Sequence, residues 1–181
     1  MTALVLGGAA SGKSEYAESL ILASPHKPRI YVAAMICRDS EDAARIARHQ
    51  ALRAEKGFLT VERPLDLGSW ECPLGAAVLV ECMTNLLANE LYEPNGAGIQ
   101  APEKILTGLQ AISARAGTLV VVSGDIFADG KSYDVETRQY QRMLSQINRG
   151  FAALADTVKE IVCGIPLDWK PWNGKEGNYA G

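Results

Sequence analysis

The sequence predicts an α/β fold in which helices cover a mostly parallel central sheet. Short runs rich in β-branched residues alternate along the chain with longer segments of helical periodicity. Two of these runs, 76–80 and 119–122, are apolar without interruption, which is typical of central strands covered on both faces. Strands that alternate with helices usually pair in parallel through helical crossovers. We therefore expect three layers, with helices on both sides of the sheet.

Six strands and five helices follow from these patterns. The predicted strands span residues 3–6, 29–33, 58–62, 76–81, 118–123 and 157–162. The predicted helices span residues 13–23, 40–56, 83–92, 103–116 and 135–155. Polar and apolar residues alternate in 58–62, so this strand is expected at an edge of the sheet. Glycine and proline interrupt the pattern at 93–102 and glycine at 124–132, where we expect mobile loops near a site.

Length and composition favour one domain. A chain of 181 residues, of which 48% are apolar, can bury one sizeable core. We place this domain at residues 1–166. The segment 167–181 is rich in glycine and is expected to form a C-terminal tail.

Charge and cysteine usage narrow the class of protein. The formal net charge of −3 argues against a nucleic-acid partner, because phosphate backbones are bound by basic surfaces. The four cysteines, Cys37, Cys72, Cys82 and Cys163, lack the spacing of a zinc site or a disulfide framework. No signal-peptide pattern begins the chain, and no apolar run approaches the roughly 18 residues that span a bilayer. We therefore expect a cytoplasmic protein with reduced thiols and no membrane span.

A phosphate-binding loop follows the first predicted strand. The sequence there matches G-x-x-x-x-G-K-[ST] between an apolar strand and a good helix. The matching residues are Gly7, Gly8, Ala9, Ala10, Ser11, Gly12, Lys13 and Ser14. Glycines let backbone N–H groups converge on phosphate oxygens, and the helix adds its positive N-terminal dipole. The loop predicts a P-loop NTPase-type fold; the alternative is a glycine-rich turn with an exposed lysine.

Two side chains of this loop and one acidic residue are candidates for triphosphate chemistry. Lys13 is expected to reach the β- and γ-phosphates, and the Ser14 hydroxyl to bind Mg²⁺. Glu81 ends a buried strand, and ligands of α/β sheets bind outside such strand ends. Glu81 is therefore a second candidate for the metal or the nucleotide, although acidic residues also end strands by chance.

A histidine lies on a basic stripe of the second predicted helix. Arg45, His49 and Arg53 are spaced at i, i+4 and i+8 and share one face, while Ala43, Ala47, Ala51 and Ala54 form a separate face expected to pack. One interpretation is an ordinary solvated helix with a bystander histidine. The other is that His49 attacks a phosphorus atom, with the arginines holding the anionic substrate.

The combined pattern resembles a known family. The residues of this chain that carry the resemblance are the loop at 7–14 followed by Tyr16-Ala17-Glu18, the Tyr31-Val32-Ala33 strand, Arg45-Ile46-Ala47-Arg48-His49 with Arg53, Thr60-Val61-Glu62, Leu79-Val80-Glu81-Cys82-Met83-Thr84, and Gly164-Ile165-Pro166. These residues resemble those of the bifunctional adenosylcobinamide kinase/adenosylcobinamide-phosphate guanylyltransferases of cobalamin biosynthesis. The resemblance spans nearly the whole chain.

The resemblance implies a two-step reaction. ATP or GTP would phosphorylate adenosylcobinamide, and GMP from GTP would pass through His49 to adenosylcobinamide phosphate to give adenosylcobinamide-GDP, with Lys13 also catalytic. The family's guanine-nucleotide contacts match Ala33, Ala34, Met35, Gln50, Ala51, Leu52, Arg53, Glu62 and Glu81. GTP, ATP and Mg²⁺ are the implied cofactors, and a homotrimer is the implied assembly.

The chain departs from the family pattern at Ala10, Phe58 and Gly124-Asp125. Asp125 supplies a shorter carboxylate than the usual glutamate, so we expect any change on the acceptor side rather than the triphosphate side. Two other hypotheses stay open at this point: a P-loop small-molecule kinase of another pathway, and a non-catalytic nucleotide-binding protein.

Overall fold

A computed structural model describes residues 1–126 and 133–170, with only the backbone at positions 40–42, 45 and 49. The strands are β1 (Thr2–Gly7), β2 (Arg29–Ala33), β3 (Phe58–Glu62), β4 (Ala77–Glu81), β5 (Thr118–Gly124), β6 (Thr157–Val162) and β7 (Ile165–Lys170). The helices are α1 (Lys13–Ala23), α2 (Ser40–Glu55), α3 (Met83–Tyr92), α4 (Ala101–Arg115) and α5 (Val135–Leu154). The six predicted strands and five predicted helices are confirmed within a few residues at their ends.

One sheet contains all of these strands, in the order β3-β2-β4-β5-β1-β6-β7. All neighbouring strands are parallel except β6 and β7. The predicted edge position of 58–62 is confirmed, because β3 pairs only with β2. The phosphate loop leaves β1 in the interior of the sheet, so it emerges at the carboxyl edge with strands on both sides.

Helices cover both faces of the sheet, as the three-layer prediction requires. Alternate residues of a strand point to opposite faces. In β4, Val78 and Val80 belong to the core cluster packed by α3, α4 and α5, whereas Ala77 and Leu79 belong to the cluster packed by α1. All of these side chains are buried, which explains why this run of sequence contains no polar residue.

The packing face of α2 differs from the prediction. The alanines at 43, 47, 51 and 54 were expected to pack, but all four are exposed. The helix instead directs Ile46, Gln50 and Arg53 toward a cleft at the edge of the sheet, and Arg53 is only 8% exposed. The spacing of residues along α2 permits either face to pack. The face with the longer side chains packs because these side chains bury more surface than alanine.

The strand β7 was not predicted. Residues 167–170 were assigned to a tail, and the expected domain boundary at 166 falls inside this strand. Cys163 and Gly164, with φ values of 50° and 80°, form a two-residue turn between β6 and β7. Positive φ at both positions is typical of a type I′ hairpin turn, whose usual Asn-Gly signal is absent here. The residues beyond 170 lie outside the described part.

The two predicted loops have different outcomes. In 93–102, a 3-10 turn forms at Gly98–Gln100 and α4 begins at Ala101, so the segment is shorter than expected. In 124–132, Gly124 is the last residue of β5, and 127–132 lie outside the described residues.

Candidate active site

The phosphate loop connects β1 directly to α1. Gly12 has a left-handed backbone with φ 89°, and the helix begins at the next residue, Lys13. A Cβ atom on Gly7 would come within 2.5 Å of Ser11 Oγ and 2.8 Å of the Ile161 carbonyl oxygen, so only glycine fits there. Lys13 Nζ donates a hydrogen bond to Gly8 O at 3.0 Å, which holds the ammonium group over the loop. The predicted loop residues are therefore brought together around a turn suited to an anion.

Glu81 is held at the start of α1 although its strand is not a neighbour of β1. The strand β5 lies between β1 and β4, and the Ser14 hydroxyl reaches across its end to donate to Glu81 Oε1. Tyr31 OH donates to Glu81 Oε2 at 2.9 Å. Burial raises the pKa of Tyr31, and the charge of Glu81 raises this pKa further, so the phenol remains a hydrogen-bond donor.

The two oxygens that meet at Ser14 and Glu81 fit a magnesium ion. Mg²⁺ prefers hard oxygen ligands and is usually bound by one or two protein oxygens together with substrate phosphates. A hydroxyl and a carboxylate in contact at the mouth of a phosphate loop provide such oxygens. Ser14 is therefore a candidate direct ligand, and Glu81 a candidate ligand either directly or through water.

Arg53 extends this polar cluster to α2. Its guanidinium carbon lies 3.6 Å from the centroid of the Tyr31 ring, a cation–π contact. The Tyr31 ring also contacts Phe58 edge-on, with 6.3 Å between ring centroids. The cation, the phenol and the Glu81 carboxylate thus form a continuous chain from α2 to the phosphate loop.

A cleft opens beside this chain, at the carboxyl ends of β2, β3 and β4. Its lining residues are Tyr31, Ala33, Ala34, Met35, Ile46, Gln50, Arg53, Thr60, Glu62, Glu81, Cys82 and Asn85. Seven of the nine predicted guanine-nucleotide contacts line it; Ala51 and Leu52 do not, and both are exposed on α2. Gln50 Nε2 donates to Glu62 Oε1 at 2.8 Å, which joins α2 to the end of β3 across the mouth of the cleft.

Several residues that shape this cleft were not among the predicted site residues. Tyr31, Thr60 and Cys82 belong to motifs that carried the family resemblance, but no site role followed from their positions in the sequence. Asn89, on α3, is buried and donates from Nδ2 to Ala34 O at 2.7 Å and Pro64 O at 3.0 Å. An asparagine three residues after Leu86, and so on the buried face of α3, was the available signal for Asn89.

His49 lies on α2 immediately before Gln50, whose side chain lines the cleft. The side chains of His49 and Arg45 are outside the described part. The backbone therefore places His49 on the helix that borders the cleft, and its role as a nucleophile stays a prediction. The other histidine, His26, lies 3.0 Å through Nδ1 from Thr118 Oγ1, at the opposite end of the sheet from the loop.

The described residues contain no helix that is both long and apolar enough to cross a bilayer. All four cysteines are described, and none of them forms a disulfide.

The sheet order and the loop define an α/β protein of the P-loop nucleotide-binding class. A solved ATPase from a bacterial type III secretion system shares the fold, with a TM-score of 0.50 and 8% identity over 88% of this chain and 50% of that one. The sequence pattern of the cobinamide kinase / cobinamide phosphate guanyltransferase family matches residues 3–169. The chain belongs to that family, which confirms the resemblance drawn from its motifs.

Two relatives carry the name bifunctional adenosylcobalamin biosynthesis protein. The protein from Pseudomonas aeruginosa is 30% identical over 173 residues, covering 94% of this chain and 98% of its own length. The protein from Escherichia coli is 31% identical over 184 residues, covering 94% of this chain and 100% of its own length. The similarity is therefore spread along the chain rather than confined to the phosphate loop.

Proposed function

We propose that this protein phosphorylates adenosylcobinamide with ATP or GTP and then transfers GMP from GTP, through a guanylyl group on His49, to give adenosylcobinamide-GDP. The proposal extends family membership to the particular substrates and to the covalent intermediate. It includes the homotrimer that the resemblance implies and the cytoplasmic location expected from the cysteine usage; sedimentation equilibrium measures the oligomeric state.

The observation that supports this function best is the polar chain from Ser14 through Glu81 and Tyr31 to Arg53. It connects the phosphate loop to the cleft, so a nucleotide with its phosphates on the loop has a place for its base beside β2, β3 and β4. Gln50 and Glu62 are polar groups at the mouth of that cleft, able to hydrogen-bond a purine edge.

In the kinase step, the acceptor hydroxyl oxygen attacks the γ-phosphorus. The bond from this phosphorus to the β-γ bridging oxygen breaks, the nucleoside diphosphate leaves, and the hydroxyl proton is released. Lys13, held above the loop by Gly8 O, stabilises the charge that builds on the phosphate oxygens. A bound Mg²⁺ would neutralise charge on the β- and γ-phosphates.

In the transferase step, an imidazole nitrogen of His49 attacks the α-phosphorus of GTP. A nitrogen–phosphorus bond forms and pyrophosphate leaves. A phosphate oxygen of adenosylcobinamide phosphate then attacks the same phosphorus, the nitrogen–phosphorus bond breaks, and the histidine is regenerated. The location of His49 on α2, the helix that borders the cleft, supports this assignment.

Labelled GTP tests the two steps separately. With α-labelled GTP, we expect label on the wild-type protein that is acid-labile and base-stable, as a phosphoramidate is. The substitution His49→Ala should abolish this label while γ-phosphoryl transfer to adenosylcobinamide persists. The matched control is His26→Ala, because His26 lies at the opposite end of the sheet and should leave both activities intact.

Other outcomes would point to other functions. Undiminished α-label on the His49→Ala variant would overturn the guanylyl-histidine. Transfer of the γ-phosphoryl group to a different alcohol, with no adduct in the wild type, would indicate a kinase of another pathway. Tight nucleotide binding without any transfer would indicate a non-catalytic nucleotide-binding protein.

A further inference from the structure

A second cavity lies on the other side of the phosphate loop. It has a volume of about 290 Å³ and is lined by Leu6, Gly124, Asp125, Asn148, Val158, Glu160 and Trp169. These residues come from the carboxyl ends of β1 and β5, from β6 and β7, and from α5. The cavity shares no lining residue with the nucleotide cleft.

The cavity adjoins the first residue of the loop. Gly7 pairs with Gly124 across β1 and β5, and Asp125 N–H donates to Gly7 O at 3.0 Å. In-line phosphoryl transfer needs the attacking oxygen and the leaving oxygen on opposite sides of the phosphorus. A nucleotide that extends from the loop toward β2, β3 and β4 leaves the side of β1, β5 and β6 open to the attacking group.

An irregularity in the pairing of β6 with β7 places Trp169 in one wall of the cavity. Lys170 is paired with Val158 and Asp168 with Lys159, so Trp169 is the extra residue of a bulge. Bulges redirect side chains, and they occur frequently beside active sites. Trp169 Nε1 donates to Glu160 Oε2 at 2.9 Å, which fixes the indole although 62% of the residue is exposed. A fixed, exposed aromatic ring offers apolar contact area at low entropic cost.

Polar groups complete the cavity. Asn148 Oδ1 is buried and accepts no hydrogen bond from any residue within 1–126 and 133–170. A buried acceptor without a donor is unfavourable, so Asn148 adds an unsatisfied polar group to the wall of the cavity. Asp125 also lines the cavity, and its side chain is a carboxylate.

We infer that this cavity binds the hydroxyl-bearing arm of the acceptor, with Trp169 packing against the acceptor's apolar surface. The inference rests on the proposed function, since it assigns a place to the substrate of that reaction. Adenosylcobinamide carries amide side chains and an aminopropanol arm on a large apolar ring. The volume of the cavity suits an arm rather than the complete ring, which would extend outward past the exposed face of Trp169.

The test measures γ-phosphoryl transfer from ATP to adenosylcobinamide at varied acceptor concentration. Trp169→Ala should raise the acceptor KM roughly tenfold, which corresponds to about 1.4 kcal/mol, and leave the ATP KM within about twofold. Trp169→Phe keeps a ring but loses the hydrogen bond to Glu160, so its acceptor KM should lie between those of the wild type and Trp169→Ala. The control is Leu167→Ala, on the same strand and 45% exposed but outside the cavity lining; it should match the wild type.

The outcomes separate this inference from the proposed function. If the wild type transfers no phosphoryl group to adenosylcobinamide, the proposed function fails. If the wild type is active and Trp169→Ala keeps its acceptor KM, the cavity assignment is overturned and the function stands. If Trp169→Ala does not fold, as shown by lost nucleotide binding, an unchanged KM in Trp169→Phe overturns it instead. A last outcome concerns a shortened chain that ends at Lys170. If this chain binds the acceptor more tightly, and Trp169→Ala has no effect, the cavity holds the chain's own C-terminal residues instead of the acceptor.

Discussion

At the residue scale, Glu81 connects the phosphate loop to the candidate nucleotide cleft. Its two carboxylate oxygens accept hydrogen bonds from Ser14 on α1 and Tyr31 on β2, so one side chain joins three elements. Arg53 adds a cation over the face of the Tyr31 ring. A carboxylate with this many partners is held in one position, which favours ordered metal ligation.

We expect Glu81→Gln to weaken the magnesium dependence of nucleotide binding. Glutamine keeps the size and one acceptor oxygen but removes the negative charge, so the affinity for the magnesium–triphosphate complex should fall on the order of 10–100-fold. Isothermal titration with GTP, with Mg²⁺ and with EDTA, measures this loss. The control Glu55→Gln, at the exposed end of α2, should retain the full magnesium effect. Equal magnesium dependence in both variants would remove Glu81 from the metal site.

At the element scale, α3 supports the candidate nucleotide cleft through side-chain hydrogen bonds. Asn89 binds the carbonyl groups of Ala34 and Pro64, and these follow β2 and β3 in the chain. The next residue, Glu90, is 1% exposed and accepts from the N–H groups of Asp66 at 2.6 Å and Ala97 at 3.0 Å. One turn of helix therefore satisfies backbone groups from three connecting segments, which would otherwise be buried without partners.

We expect Asn89→Ala to reduce the free energy of unfolding by about 1–3 kcal/mol, because two carbonyl groups lose their donor. Guanine-nucleotide affinity should also fall, since Ala34 lines the cleft. Urea unfolding and nucleotide titration measure the two effects. Asn95→Ala, in the exposed connection after α3, should change neither quantity. A stable Asn89→Ala variant with normal affinity would show that the cleft needs no support from α3.

At the scale of the whole molecule, the phosphate loop lies between two candidate binding regions along the same sheet. The strands β2, β3 and β4 end at the candidate nucleotide cleft, whereas β1 and β5 end at the second cavity, which β6 also lines. The hairpin of β6 and β7 contacts the phosphate loop, because Gly164 N–H donates to Ser11 O of the loop at 2.9 Å. The strand β7 is thus a part of the sheet, and the turn before it contacts the phosphate loop.

We expect a chain that ends at Gly164 to be less stable than one that ends at Lys170. The shorter chain lacks β7, and with it the ladder to β6 and the contacts of Asp168 with Lys159 and of Lys170 Nζ with Ala152 O. Several hydrogen bonds at about 0.5–1.5 kcal/mol each should lower the free energy of unfolding by at least about 2 kcal/mol. Urea denaturation of both chains measures the difference, and equal midpoints would mean that β7 adds nothing to the fold.

The sequence by itself determined the phosphate loop, the parallel strands and the family. These features are local: the loop from Gly7 to Ser14 needs only its own glycines and flanking elements, and a buried strand such as β4 shows in its uninterrupted apolar run. The tertiary structure alone decided which face of α2 packs, that Arg53 lies over the Tyr31 ring while Tyr31 bonds to Glu81, and that residues 165–170 form a strand. The physical reason is that these arrangements depend on partners far apart in the chain, and spacing within one element cannot specify such partners.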